Sequence, residues 1–289
     1  MKSSALVFLA AFIALSASWA GFVLAPQLQL GREPLVKVKT TDSLYPVARA
    51  GLAKQGAEVY RSLGCVYCHS QQVGQEGVKC EVILTDAGTN AATTLAALAK
   101  LDSQFAKAET LTGLPKALLS VADMNVADPI LKTITGAGAK AEVRATSFGP
   151  DMARGWGRRR TVAQDYVYDS PVQLGSRRSG PDLANAGVRW PNGNWHLRHL
   201  YAPLSEIEGS TMPSYRFLFE KRKVGREPSS DALKLPADFS PPAGYEIVPT
   251  DEARSLAAYL VSLRADEPLF EAPFTAPAPP APVTNSPAK

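Results

Sequence analysis

Apolar residues dominate the start of the chain. From Ser3 to Ala25 (SSALVFLAAFIALSASWAGFVLA) no charge interrupts 23 residues, enough to cross a bilayer core at about 1.5 Å of rise per residue. Lys2 precedes the run and Arg32 is the first charge after it, too little on either side to set an orientation. Ser18-Trp19-Ala20 offers a small-x-small cleavage triplet, but Gly21-Phe22-Val23-Leu24 keeps the run apolar past it. The expectation is a retained anchor over 1–30, with cleavage as a signal peptide left open; either way the remainder is exported. Further on, Leu52 to Leu63 (LAKQGAEVYRSL) has the period of an amphipathic helix. Near the other end Thr250 is placed to cap a helix with Asp251 and Glu252 in its first turn. Leu256, Tyr259, Leu260 and Leu263 then recur at i, i+3, i+4, i+7. Between them lies a stretch of mixed period. Lys79 to Thr85 (KCEVILT) and Lys140 to Thr146 (KAEVRAT) read as strands, while Asn90 to Ala108, Gly113 to Val121 and Pro129 to Thr135 read as helices.

These patterns predict a mainly α protein: an N-terminal transmembrane helix over 1–30, a helical domain over 44–264, and a small α/β insertion over 79–147 within it. The last stretch, 265–289, holds seven Pro; that composition favours extended polyproline stretches and a disordered tail over a packed core. Composition narrows the class further. With 45% hydrophobic and 20% charged residues in 289, neither a wholly disordered chain nor a polytopic membrane protein fits. Three Cys are too few for a disulfide scaffold. The net charge of +4 gives no reason to expect nucleic acid. In an exported domain the basic runs Arg158-Arg159-Arg160 and Lys221-Arg222-Lys223 suit anionic lipid headgroups, propionates or acidic partner surfaces.

The run with the most chemistry is Cys65-Val66-Tyr67-Cys68-His69. Two thiols at this spacing can add to the two vinyl groups of one haem, and the adjoining imidazole then falls under the iron as proximal ligand. A zinc site from Cys65, Cys68, His196 and His199 competes with this reading, but the His-x2-His spacing is short and His69 would have no role. A thioredoxin-like redox pair would need a βαβ context that the helix before Cys65 does not supply. Covalent attachment of one haem c agrees with an exported domain. The first and last helices of such a domain cross each other at a small residue, for which Gly56 is the candidate.

Of four Met, Met212 in Ser210-Thr211-Met212-Pro213-Ser214-Tyr215 sits in a loop where Pro and small residues permit an inward thioether; Met124 and Met152 are its rivals. Met/His ligation raises the reduction potential and suits electron transfer. Between motif and ligand lies Gly175-Ser176-Arg177-Arg178-Ser179-Gly180-Pro181-Asp182-Leu183. Here the Pro181 carbonyl is placed to accept from His69 Nδ1, and Arg177 and Arg178 are candidates to neutralise haem propionates or are plain solvated arginines. Cys80 reads as a buried structural thiol. His196 and His199, beside Trp195 on Asn194 to Leu200, read as helix-surface histidines, with tuning of the haem edge or proton handling as the alternative.

Asp165 to Tyr215, Gly56 to Gln72 and the single N-terminal anchor resemble the mono-haem subunit II of cbb3-type cytochrome c oxidases. The most specific part is Tyr-Asp-x-Pro-x-Gln-x-Gly-Ser-x-Arg-x-Gly-Pro-Asp-Leu, standing as Tyr168 to Leu183. The resemblance implies a cytochrome c-type haem domain in the periplasm, held by one helix in the bacterial inner membrane, with His69 and Met212 as axial ligands. It implies no catalytic centre in this chain, which would relay single electrons from a di-haem cytochrome c subunit or a soluble cytochrome c to the haem b/haem–copper catalytic subunit. The sequence departs from the family after Gln72, where an insertion precedes Trp156-Gly157-Arg158 in place of a short loop. The insertion, read as β-α-α-α-β, is similar to the C-terminal domain of the bacterial ribosomal stalk protein, which implies a small α/β shape only. Competing readings are the cytochrome subunit of a nitric oxide reductase, a zinc-bound tethered interaction module, and an unpartnered shuttle cytochrome.

Overall fold

The computed structural model describes residues 2–30, 34–38, 42–49, 51–269 and 272; the Pro-rich tail expected over 265–289 falls largely outside them. In chain order the elements are α1 (Lys2–Trp19), a π-helical turn (Ala20–Leu24), α2 (Ala25–Leu30), β1 (Val36–Lys37), β2 (Leu44–Tyr45), α3 (Leu52–Ser62), β3 (Gly77–Asp86), α4 (Ala91–Leu101), β4 (Lys116–Val121), α5 (Met124–Gly136), β5 (Lys140–Phe148), α6 (Pro150–Ala153), α7 (Ala186–Arg189), α8 (Gly193–Tyr201), β6 (Phe219–Lys223), β7 (Tyr245–Pro249) and α9 (Asp251–Ser262). Helix outweighs strand, and two compact units emerge, Met1–Gln72 with Thr161–Ala265, and Val73–Arg160 with the C-terminal residues.

In the first unit, Ser4–Leu28 is long and apolar enough to cross a membrane, with a mean hydropathy of 2.2 and none of it buried inside the protein. The rest of the unit is built around α3, α7, α8 and α9. Thr250 Oγ1 accepts from the Ala253 N–H at 3.3 Å and starts α9, satisfying one of the donors a helix start leaves open. Asp251 and Glu252 favour the same end electrostatically. The stripe expected on this helix is the buried one: Leu256, Tyr259, Leu260 and Leu263 join Tyr60, Leu183, Leu197 and Leu200 in one core. Gly56 is where α3 meets α9. A Cβ there would lie 1.8 Å from the Ser255 carbonyl oxygen and 2.8 Å from Tyr259 Cβ, so any side chain forces the helices apart. Gly187 of α7 makes an equally close approach to Val261.

The second unit is a three-stranded antiparallel sheet in the order β4-β3-β5, with Val82 facing Leu119 on one side and Val143 on the other. Its core gathers Val82, Leu84, Leu98, Phe105, Ala127 and Ile134. Cys80 belongs to this core and is a buried free thiol. The sequence reading of Gly113 to Val121 as a helix is corrected here, because Lys116–Val121 is the strand β4. Leu118 and Leu119 pack on the core, and backbone pairing with the open edge of β3 outweighs the modest helical preference of Ala and Leu. The helix expected from Pro129 starts earlier, at Met124. Asp123 Oδ1 accepts from the Asn125 and Val126 N–H groups, and Pro129 lies inside α5. The helix expected to reach Ala108 stops at Leu101, because Asp102 caps a following 3-10 turn instead. The order is therefore β-α-β-α-β, not β-α-α-α-β. The bounds expected for the insertion, 79–147, lie within this unit.

Candidate cofactor cavity

In the first unit a cavity of about 390 Å³ opens into the core, within the roughly 300–1,000 Å³ usual for small-molecule sites. One wall is made by the end of α3. The chain leaves that helix through Gly64 in the left-handed region (φ +69°) and folds Cys65–Tyr67 into a 3-10 turn. This turn brings Cys65, Cys68 and His69 to the cavity together. Backbone bonds fix it: the Cys68 and His69 N–H groups both donate to the Cys65 carbonyl, at 3.1 and 3.0 Å.

The ring of His69 is held from behind. Its Nδ1 lies 2.8 Å from the Pro181 carbonyl oxygen, the partner expected from the sequence. That bond places the proton on Nδ1 and leaves Nε2 with a lone pair. The loop carrying Pro181 closes against the motif with no room to spare. The Gly180 N–H donates to the Cys68 carbonyl at 2.9 Å, and a Cβ on Gly180 would sit 2.3 Å from His69 Cε1. A Cβ on Gly175 would sit 2.2 Å from the His69 carbonyl, and that residue holds a positive φ of +81°. Asp182 ties the same segments together, accepting from Ser70 Oγ at 2.6 Å and from the Gln72 N–H at 2.7 Å. Burial lowers the His69 pKa, against the Pro181 carbonyl bond that raises it, so the ring is neutral at pH 7 and able to donate to a metal. Burial also pushes the Cys65 thiol up to about 12.

Met212 lines the same cavity as His69, half-buried against the core of the unit. Its loop is anchored by the Tyr215 N–H donating to the Leu200 carbonyl at 2.8 Å. The rivals Met124 and Met152 are in the second unit, on α5 and α6. Arg177 and Arg178 are exposed and do not line the cavity. Arg178 instead bonds Ser70 Oγ at 3.1 Å and the Gln72 carbonyl.

The remaining wall is where the structure departs from the helix-surface expectation. His196 and His199 are not helix-surface residues; both line the cavity with Trp190 and Trp195. Trp190 and Trp195 stack with centroids 4.5 Å apart and planes within 2°, and His199 stacks on Trp195 at 4.9 Å and 8°. His196 is 4% exposed and its Nε2 bonds the Trp190 carbonyl at 2.8 Å. Burial lowers the pKa of both rings, that of His199 to about 4. The usable signal was Trp195, His196 and His199 recurring on one helical face beside Leu200, a face too aromatic to be left in water.

The groups gathered here are two thiols, a neutral imidazole with one ring nitrogen fixed, and a thioether, set in an apolar cavity. That donor set suits a haem. Among the described residues no three His, Cys, Asp or Glu side chains are grouped to hold a metal ion, which removes the geometry that a zinc site from Cys65, Cys68, His196 and His199 requires. Residues 146–255 match the family described as Cytochrome C oxidase, mono-heme subunit/FixO. The matched segment carries Pro181, His196, His199 and Met212, whereas Cys65, Cys68 and His69 precede it. No curated protein matches the chain. The family match supports the likeness to the mono-haem subunit of cbb3-type oxidases drawn from Tyr168 to Leu183, and with it a cytochrome c oxidase mono-haem subunit.

Proposed function

We propose that this chain is a membrane-anchored c-type cytochrome that relays single electrons to the haem b/haem–copper catalytic subunit of a cbb3-type terminal oxidase. The observation that carries the reading is that Cys65, Cys68, His69 and Met212, distant in sequence, line one cavity in a chain whose residues 146–255 match an oxidase mono-haem subunit family. Haem iron, when bound, supplies one-electron chemistry. The protein's part is positioning. Cys65 and Cys68 tether the group as thioethers. His69, oriented by Pro181, would offer Nε2 to the iron, and Met212 would offer its thioether. Leu183, Leu200 and Leu260 supply apolar wall and limit water, which with Met/His ligation favours a high potential and little ligand chemistry. On this reading the chain itself is non-catalytic, the apolar Ser4–Leu28 helix is its inner-membrane anchor, and the haem domain lies in the periplasm. A di-haem cytochrome c subunit or a soluble cytochrome c is the donor.

The match to an oxidase family favours this reading over a nitric oxide reductase subunit. The test is the metal content of the complex that the chain retains in mild detergent. About one copper alongside several haem irons is expected. Non-haem iron with no copper would assign the chain to a nitric oxide reductase, and no large haem-bearing partner would leave a shuttle cytochrome.

A further inference from the structure

A haem brings two carboxylates as well as an iron, and a cavity that holds it must receive them. This inference rests on the haem reading above. The arginines expected to serve, Arg177 and Arg178, are not on the wall, and among the described residues no Lys or Arg lines the cavity. Apart from the thiols and His69, the polar groups that do are hydroxyls, the indole N–H groups of Trp190 and Trp195, and the two imidazoles of α8. His196 is committed, with Nε2 on the Trp190 carbonyl at 2.8 Å. His199 is not. Its ring is held flat against Trp195, which in turn lies flat against Trp190, so its orientation is set before any ligand arrives. Its Nδ1 is buried without a hydrogen-bond partner. With Nδ1 enclosed, Nε2 is the ring nitrogen left to meet a ligand, and a proton there is the one a carboxylate would accept.

The geometry assigns His199 Nε2–H as a hydrogen-bond donor to a haem propionate carboxylate, in place of the expected arginines. His199 is then a cofactor-positioning residue fixed by an aromatic stack rather than by a salt bridge. A hydrogen bond to the carboxylate spreads its negative charge; without it that charge bears more fully on the iron and favours the ferric state.

The test uses the purified, haem-loaded full chain as parent, His199→Phe and His199→Gln. Redox-induced infrared difference spectra read the carboxylates, and a spectroelectrochemical titration reads the midpoint. We expect His199→Phe to shift the redox-sensitive carboxylate bands and lower the midpoint potential, with the low-spin visible spectrum unchanged. His199→Gln, which keeps a donor, restores both toward the parent. A haem-loaded His199→Phe with the parent's bands and midpoint overturns the assignment. Should His199→Phe not accumulate, nitrogen NMR of histidine-labelled parent decides, with the His199 signal identified by its loss in His199→Gln. An Nε2–H tautomer supports the assignment, and an Nδ1–H tautomer overturns it. A parent chain without covalent haem would sink the haem reading itself, a different result from an insensitive variant of a loaded parent.

Discussion

The two units of this protein solve the same packing problem in opposite ways. In the α/β unit, Val82, Leu84, Leu98, Ala127 and Ile134 close on one another across a sheet and two helices, with the Cys80 thiol among them. In the helical unit, Tyr60, Leu183, Leu200, Leu256 and Leu260 form a core of comparable make-up, but a cavity opens into it whose wall carries sulfur and imidazole. The first core is described by its apolar side chains. The second core carries an open cavity, which the proposed reading fills with haem. Damage in the first should therefore register as stability alone, and damage in the second as loss or alteration of the cofactor.

The sharpest way to break that contrast is Cys65→Ala combined with Cys68→Ala, which removes both tethers. Haem staining after a denaturing gel should fall from a strong band to none, and a band of undiminished strength would refute covalent attachment at these residues. Next in size is Gly56→Ala. The added methyl meets the Ser255 carbonyl at 1.8 Å, so α3 and α9 must separate. Overpacking of this kind costs about 1–3 kcal/mol, at times more, and thermal melting of the holoprotein should place this variant at or above the upper end. Melting unchanged from the parent would mean that the two helices do not cross there. Leu84→Ala is the matching lesion in the other unit. Leu84 is 0% exposed, and truncating such a side chain costs about 2–5 kcal/mol, a span that overlaps that of Gly56→Ala. The melting temperature should drop while the haem spectrum at room temperature stays that of the parent; a changed spectrum would show that the two cores are not separable in this way.

The smallest effect is one of pH. Burial holds the folded-state pKa of His196 below its ordinary 6.5, so the unfolded chain takes up a proton at a pH where the folded chain does not. This contribution to stability is fully present above about 6.5 and declines as pH falls toward the folded value. Chemical denaturation of the holoprotein from pH 8 to 5 should show His196→Gln with a shallower decline than the parent. Parallel slopes would indicate that His196 is not buried in its neutral form.

How much of this was legible beforehand also divides along the two cores. Several expectations meet the folded chain: Thr250 caps α9 with its apolar stripe buried, Gly56 lies at the crossing, and the Pro181 carbonyl lies behind His69. What departed from expectation depended on how a segment packs. Lys116–Val121 has no strand signal of its own and becomes β4 only because the edge of β3 is there to pair with. His196 and His199 look like polar residues on an exposed helix until Trp190 and Trp195 stack beside them. Arg177 and Arg178 sit in the right loop, but the backbone turn around Gly175 and Gly180 that seats His69 leaves them outside the cavity.

The central claim, that this cavity holds a haem between His69 and Met212, is tested most directly by Met212→Ala in the haem-loaded chain. Reduced protein would be exposed to carbon monoxide and its visible spectrum recorded. The account predicts that the parent stays low-spin and refuses the gas, while the variant loses the low-spin spectrum and binds it. A variant that keeps an unchanged low-spin spectrum and still refuses carbon monoxide would contradict it.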